Sequence, residues 1–203
     1  VVEGYFDVIA LHAAGVRHAV AALGTAMNSQ QITQLCRCCD SRRIVLNFDA
    51  DRAGVRAAQR AIGEVELQAL QGQIELRVLH LPSGKDPDEF LQERSSADYL
   101  ALQEQAPLWL DWQIEQVLEG KDLGRADQFQ QAIQGLVELL GKLPQSALRS
   151  HYLQQVAERL SGGQARMALQ LEEDLRQQVK GQRWHGRSRR HERPSRSTGA
   201  CEA

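Results

Sequence analysis

The sequence predicts an α/β domain built on a parallel sheet with flanking helices, followed by an all-helical subdomain and a disordered basic tail. Three observations carry this. First, Val1-Val2-Glu3 and Ile44-Val45-Leu46-Asn47-Phe48-Asp49 are short apolar runs that end abruptly in acid, and β-branched runs of this kind read as buried parallel strands. Second, strand and helix signals alternate from residue 1 to about 93, the pattern of strands joined by crossover helices. Third, from about 97 to 180 strand signals vanish and apolar positions recur at helical spacing. The expected organisation is therefore 1–93 as the α/β domain, 94–181 as the helical subdomain and 182–203 as the tail.

In chain order, Val1-Val2 is the end of a strand, and Phe6 to Ala14 reads as a helix closed by Gly15. Ala19 to Leu23 is a weaker strand leading into Gly24-Thr25. Asn28 then caps a helix, with Gln31 three residues on as its capping-box partner. Ile44 to Phe48 is the clearest strand, and Ala53 to Ile62 follows as a helix of good formers. Ile74 to Leu79 is another strand, Pro82-Ser83-Gly84 a turn, and Pro87 opens the next helix. Beyond these, Leu108, Trp109, Trp112 and Val117, then Phe129, Ile133, Val137 and Leu140, then Leu148, Tyr152, Val156 and Leu160 mark apolar faces. Breaks at Gly120, Gly141 to Pro144 and Gly162-Gly163 divide them into about four helices. Trp109 and Trp112 share a face and read as core rather than as a stacking platform. The segment from Gln182 to Ala203 has no apolar period, and its arginines (183, 187, 189, 190, 193 and 196) read as a solvated linker before phosphate contacts.

At 203 residues, with 42% hydrophobic and 25% charged residues, the chain can bury a real core. A net charge of −2 excludes a uniformly basic coat for nucleic acid, though not a local basic groove. Cys36, Cys38, Cys39 and Cys201 do not form a disulfide framework, and no second ligand pair follows Cys36 and Cys39 at zinc-site spacing, so structural thiols are expected. No stretch approaches a membrane span and no signal peptide opens the chain, so no membrane partner is expected. Val1 begins inside a strand without an initiator Met, which suggests a piece of a longer protein.

The acids carry the chemistry. Carboxylates at the carboxyl ends of parallel strands lie where open α/β sheets place ligands, and three converging there suit a hard cation such as Mg²⁺. Asp49 and Asp51 alternate in extended chain, so both side chains can face one ion. The plainer reading is that Asp51 caps the following helix. Glu3 ends a separate strand, and Gly4 beside it allows a tight turn or close approach to a ligand. Lys85-Asp86-Pro87-Asp88-Glu89 forms a third acidic cluster, equally readable as a helix start with Pro at its first position. Asp7, in the first turn of its helix, divides between capping and site.

Glu-Gly-Tyr-x-Asp after one strand, Asp-x-Asp-Arg-Ala-Gly after another and then Lys-Asp-Pro-Asp-Glu-Phe, in this order and spacing, resemble a Toprim domain. The fuller likeness is to the DnaG-type bacterial primase family. It extends to the Val2 to Leu11 opening, the Leu23-Gly24-Thr25-Ala26 turn and the Leu79 to Asp88 stretch, with Ala50 standing where glycine is common in that family. The resemblance covers residues 1 to 93 and implies a Toprim-type, Rossmann-like sheet. It implies Glu3, Asp49 and Asp51 as metal-binding and catalytic acids, Asp86 and Asp88 as further metal-site acids, and Asp7, Gly4 and Arg52 in support. Glu3 is open between metal ligand and general base. Arg56 and Arg60 are candidate nucleic-acid contacts, against the plainer reading of a solvated helix face.

The implied reaction is RNA primer synthesis on single-stranded DNA from ribonucleoside triphosphates, with Mg²⁺ as cofactor and Mn²⁺ as its substitute. The family's zinc belongs to a domain expected ahead of this chain, and replicative-helicase contact to a domain expected after it. A cytoplasmic place at the replication fork follows from the same likeness. Two alternatives stand: a Toprim nuclease or topoisomerase that cleaves phosphodiesters, and a non-catalytic fragment that binds metal or a partner. A topoisomerase needs a nucleophilic tyrosine, and none of Tyr5, Tyr99 and Tyr152 stands out.

Overall fold

A computed structural model describes residues 1–23, 29–49 and 51–188. The chain divides into two compact units, Val1–Gln113 and the residues from Ile114 onward.

The first unit is layered about parallel strands β1 (Arg43–Asn47) and β2 (Glu75–Leu79), in register from Arg43 opposite Glu75 to Asn47 opposite Leu79. Val2 extends this sheet by single parallel bridges to Asn47 on one side and Ala21 on the other. The expected strands at Val1-Val2 and Ala19–Leu23 are thus reduced to bridges, although the backbone bonds Val2 N to Val20 O (2.9 Å), Ala22 N to Val2 O (2.9 Å) and Asn47 N to Val1 O (2.7 Å) are in place. One sheet face packs against α1 (Tyr5–Ala13), α4 (Pro87–Glu93) and α5 (Ser96–Gln105) through Val2, Leu11, Leu79, Phe90 and Tyr99. Toward the other face, α3 (Arg52–Leu70) packs on β2, with α2 (Ser29–Cys38) beside α3.

Local chemistry sets the helix ends. Gly15, at φ +92°, closes α1 as expected of a residue without Cβ. Asp51 caps α3, Asp86 caps α4 ahead of Pro87, and Ser95 with Asp98 forms a capping box on α5. Helix α3 runs past the expected end at Ile62 to Leu70, since Glu64 to Leu70 contains no breaker until Gly72. Packing carries the first unit beyond residue 93, because Tyr99 and Ala106 close the same apolar layer as Val2 and Leu79. Trp109 and Trp112 are buried, as their spacing predicts, and Trp112 stacks on His80 with centroids 5.6 Å apart.

The helical unit comprises the end of α6 (Trp109–Leu118), then α7 (Ala126–Lys142), α8 (Ala147–Leu160) and α9 (Ala165–Ser188). Leu136, Leu140, Leu143, Leu153, Val156 and Leu175 form its buried centre. With α5, five helices lie between Ser96 and Ser188 where the sequence suggests about four. The tail also differs from expectation at its start. Residues 182–188 continue α9, which runs through Gly181 and Gly186 without a proline to end it. Gly24-Thr25-Ala26, the Asn28 cap, Ala50 and residues 189–203, Cys201 among them, lie outside the described residues. Among the described helices none is long and apolar enough to cross a membrane.

Candidate active site at the carboxyl edge of the sheet

The parallel register brings two acid-bearing chain segments side by side. Asn47 is bridged to Val2, so Glu3 and Asp49 leave adjacent positions of the sheet at the same edge. The backbone N–H of Asp49 donates to Glu3 Oε1 at 3.3 Å, across 46 residues of sequence. Asp7 turns back from the first turn of α1, where its Oδ2 accepts from Gly4 N at 3.0 Å. Gly4 therefore contributes a backbone N–H that orients an acid.

Asp51 does cap α3, with Oδ1 accepting from Ala53 N (2.8 Å) and Gly54 N (2.7 Å). Asp86 caps α4 through Oδ1, which accepts from Glu89 N at 2.7 Å. Capping and site roles do not compete, because each of these carboxylates uses one oxygen in the cap. No hydrogen bond to the second oxygen is present among the described residues, nor to either oxygen of Asp49. Among the described residues Asp88 accepts a long contact from Gln92, at 3.4 Å.

Electrostatics show which acids share a space. Burial pushes Glu3 upward, opposed by the Asp49 N–H, and the charges of Asp49, Asp51 and Asp7 push it further. Asp49 is raised by burial and then by Asp86, Asp51 and Glu89. Asp7 is raised by burial and then, against the Gly4 N–H, by Asp86, Asp49 and Asp88. Glu3, Asp7, Asp49, Asp51, Asp86 and Asp88 thus form one mutually repelling set, with no cation on the described residues pairing any of them. At the opposite end of the strands the pattern reverses. Glu75 is held by Arg77 at 2.7 Å and Arg43 at 2.9 Å, and its carboxyl lies below the usual range, chiefly through the Arg77 hydrogen bond.

This donor set fits a hard divalent cation. Every candidate ligand is an oxygen, and a cation would relieve the repulsion that raises Glu3, Asp7 and Asp49. Among the described residues no three His, Cys, Asp or Glu side chains form a ready-made cage. Mg²⁺ does not require one, because it commonly takes one or two carboxylates and completes its shell with water and phosphate. Among the described residues Cys36, Cys38 and Cys39 are free thiols, and burial raises Cys36.

Gly54 fixes the geometry in a way that spacing alone does not reveal. A Cβ there would sit 2.1 Å from the carbonyl oxygen of Asp49, so the first turn of α3 lies directly against the acid-bearing backbone. Sequence reasoning missed Asn47, a buried amide two residues before Asp49, and its partner Tyr99. The only local signal is one polar residue inside an apolar run. Arg52, Arg56 and Arg60 line α3 at helical spacing, exposed and without an ion pair among the described residues.

Comparisons with known proteins place the chain in a family. A Toprim-like family model matches residues 1–91, and a model of the DnaB-helicase binding domain of primase matches residues 110–165. The sequence reading assigns helicase contact to a domain beyond this chain; the match puts a helicase-binding model within it, on helices whose periodicity alone does not reveal what they bind. A DNA primase of Synechococcus elongatus is 64% identical over 194 residues, which is 96% of this chain and 28% of that protein. The chain spans about a quarter of the length of the curated primases it matches. A primase domain from Pseudomonas aeruginosa superposes with a TM-score of 0.63 at 33% identity, covering 85% of this chain and 53% of that one. A DnaG primase catalytic domain bound to single-stranded DNA superposes at 0.64 with 30% identity, covering 79% and 50%. With residues 1–91 and 110–165 matched by these models and 96% of the chain aligned to a DNA primase, the chain belongs to the bacterial DnaG-type DNA primase family.

Proposed function

We propose that this chain supplies the catalytic acids of a DNA primase, which synthesises short RNA primers on single-stranded DNA by metal-dependent nucleotidyl transfer. The observation that carries this reading is the uncompensated set of Glu3, Asp49 and Asp51 at one sheet edge, each repelling its neighbours. Residues 1–93 serve as the Toprim catalytic domain, 94–181 as the helical part of the core and 182–203 as a linker. Glu3, Asp49 and Asp51 hold Mg²⁺, or Mn²⁺ in its place, with Asp86 and Asp88 as further ligands and Asp7 in support. Bound there, the ion would supply charge neutralisation at the phosphate and activation of the attacking hydroxyl. The protein's part in phosphoryl transfer is mainly positioning. Gly4 N–H orients Asp7, Gly54 lets α3 fix Asp49, and Arg52, Arg56 and Arg60 meet the backbone of the template strand. Ribonucleoside triphosphates are the substrates, the replicative helicase docks through residues 110–165, and the protein works in the cytoplasm at the replication fork. The bound single strand in a matched primase structure supports the template assignment.

A chimera tests this directly. Residues 1–203 replace the matching segment of the S. elongatus primase, and ribonucleotide incorporation on single-stranded DNA is followed with Mg²⁺. Primers should form, and Asp49→Asn should reduce their yield at least 100-fold, a typical loss when charge stabilisation of a transition state is removed. Near-normal yield from the Asp49→Asn chimera rejects the site.

A further inference from the structure

We infer that Asn47 and Tyr99 act as a positioning pair that sets the spacing of the carboxylates at the sheet edge. The inference rests on the metal-site reading above and deepens it. Side chains alternate along β1, so Leu46 faces one side of the sheet while Val45 and Asn47 face the other. That second side is the apolar layer of Val2, Leu79, Phe90 and Tyr99. Asn47 is 4% exposed there, and a buried amide is unfavourable without a partner. Its Nδ2 donates to the Tyr99 hydroxyl at 3.1 Å, across 52 residues of sequence.

Asn47 also stands where the site's two halves meet. Its backbone N–H donates to Val1 O at 2.7 Å, and it bridges Val2, the residue before Glu3. Two residues further on, just past the end of β1, is Asp49. The amide therefore ties helix α5 to the point from which Glu3 and Asp49 both depart. Tyr99 is likewise 4% exposed and lies edge-on to Phe90 of α4, the helix capped by Asp86, with ring centroids 6.3 Å apart. Its oxygen accepts from Asn47, which leaves its own proton available, and the charge of Asp7 reaches the phenol. Leucine and phenylalanine would fill the same volume. What the polar pair adds is a directional link between the strand end and two helices that carry or contact the acid set.

Tyr99→Phe removes the hydroxyl and keeps the ring, and Asn47→Leu removes the amide at similar volume. Mn²⁺ binding to the full 203-residue chain is measured by water-proton relaxation, beside thermal unfolding in chelator. Tyr99→Phe should weaken Mn²⁺ binding about tenfold, the lower range for loss of a group that orients metal ligands, and should also lower the melting temperature of the metal-free chain, because the buried Asn47 amide loses its partner. Asn47→Leu should do the same, and the double variant should be no weaker than either single one. Wild-type Mn²⁺ affinity in Tyr99→Phe, or a lower melting temperature with unchanged affinity, overturns the pairing and leaves the metal site standing. A wild-type chain that binds no Mn²⁺, with Asp49→Asn indistinguishable from it, overturns the metal site and the pairing with it.

Discussion

The two ends of the same parallel sheet treat charge in opposite ways. At the amino end Glu75 lies between Arg43 and Arg77, and Arg43 also reaches Glu104 at 2.7 Å, so every charge in that group has an opposite neighbour. At the carboxyl end Glu3, Asp7 and Asp49 crowd together and are raised, first by burial and then by the charges of neighbouring acids. A sheet edge that only had to be stable would resemble the first. The second holds its acids in an unfavourable arrangement, which an incoming cation and phosphate would relieve. The same strands thus separate a charge-paired end from the proposed metal-binding end within five residue pairs.

The largest effect should come from the backbone that supports the acidic end. Gly54→Ala drives a methyl group into the Asp49 carbonyl and should destabilise the first unit by about 3 kcal/mol in urea unfolding. Gly135 offers a control in the helical unit, where a Cβ would meet the Val117 side chain at 2.8 Å. A side chain can shift where a backbone cannot, so Gly135→Ala should cost only about 1 kcal/mol. Equal losses at the two glycines would remove the special status of the Asp49 backbone.

At the amino end, Arg77→Met should cost about 1.5 kcal/mol by the same measurement. It removes a charged donor that serves Glu75 and, at 2.6 Å, the carbonyl of Ala106.

The pH dependence should then distinguish the ends by sign. Glu3 and Asp49 have folded-state values raised above the ordinary 4.5 and 3.8, so the folded chain holds their protons more tightly than the unfolded chain does. Their contribution is favourable below those ordinary values and is lost as pH rises through the raised ones. Glu75, with its value lowered, contributes above its ordinary 4.5 and loses that contribution as pH falls. In chelator at neutral pH, Asp49→Asn should therefore stabilise the chain, on the order of 0.5 kcal/mol after solvent screening. Glu75→Gln should destabilise it, and Mg²⁺ should raise the melting temperature of the wild type more than that of Asp49→Asn. Thermal scans from pH 4 to 8 read all three.

The smallest effect concerns the basic face of α3. Arg56→Gln in the chimera should lower the slope of log affinity for single-stranded DNA against log salt by about 0.7, one phosphate contact, with Arg60→Gln equivalent. An unchanged slope for both would make them a solvated face.

The strands β1 and β2 and helices α1 and α3 were legible because apolar period and breaker residues act locally: Ile44 to Phe48 reads as a strand without reference to anything distant. The acids were legible because they end such runs. What the sequence could not show depends on partners far along the chain. Val2 and Ala21 have the hydrogen bonds of a strand but too few consecutive residues to form one, and Val2 is held by Ala21 on one side and Asn47 on the other. The first unit extends past residue 93 because Tyr99 packs on residues 1 to 90, a relation invisible in the helical pattern around it. Asn47 reads as an irregularity in a strand until its partner 52 residues away is known.

Val2 joins two halves of the sheet by one bridge on each side, and the acids it brings together are 46 residues apart. No local segment of this chain contains the site. Closing a loop of that length carries an entropic cost that must be met before its contacts return anything, and non-local parallel pairing of this kind forms slowly. Helices such as α3 and α7 can begin to form on their own, whereas the acidic edge exists only once the chain's topology is complete. The proposed affinity for a cation would therefore be among the last properties the folding chain acquires, and a partly folded molecule would present separate carboxylates without a centre.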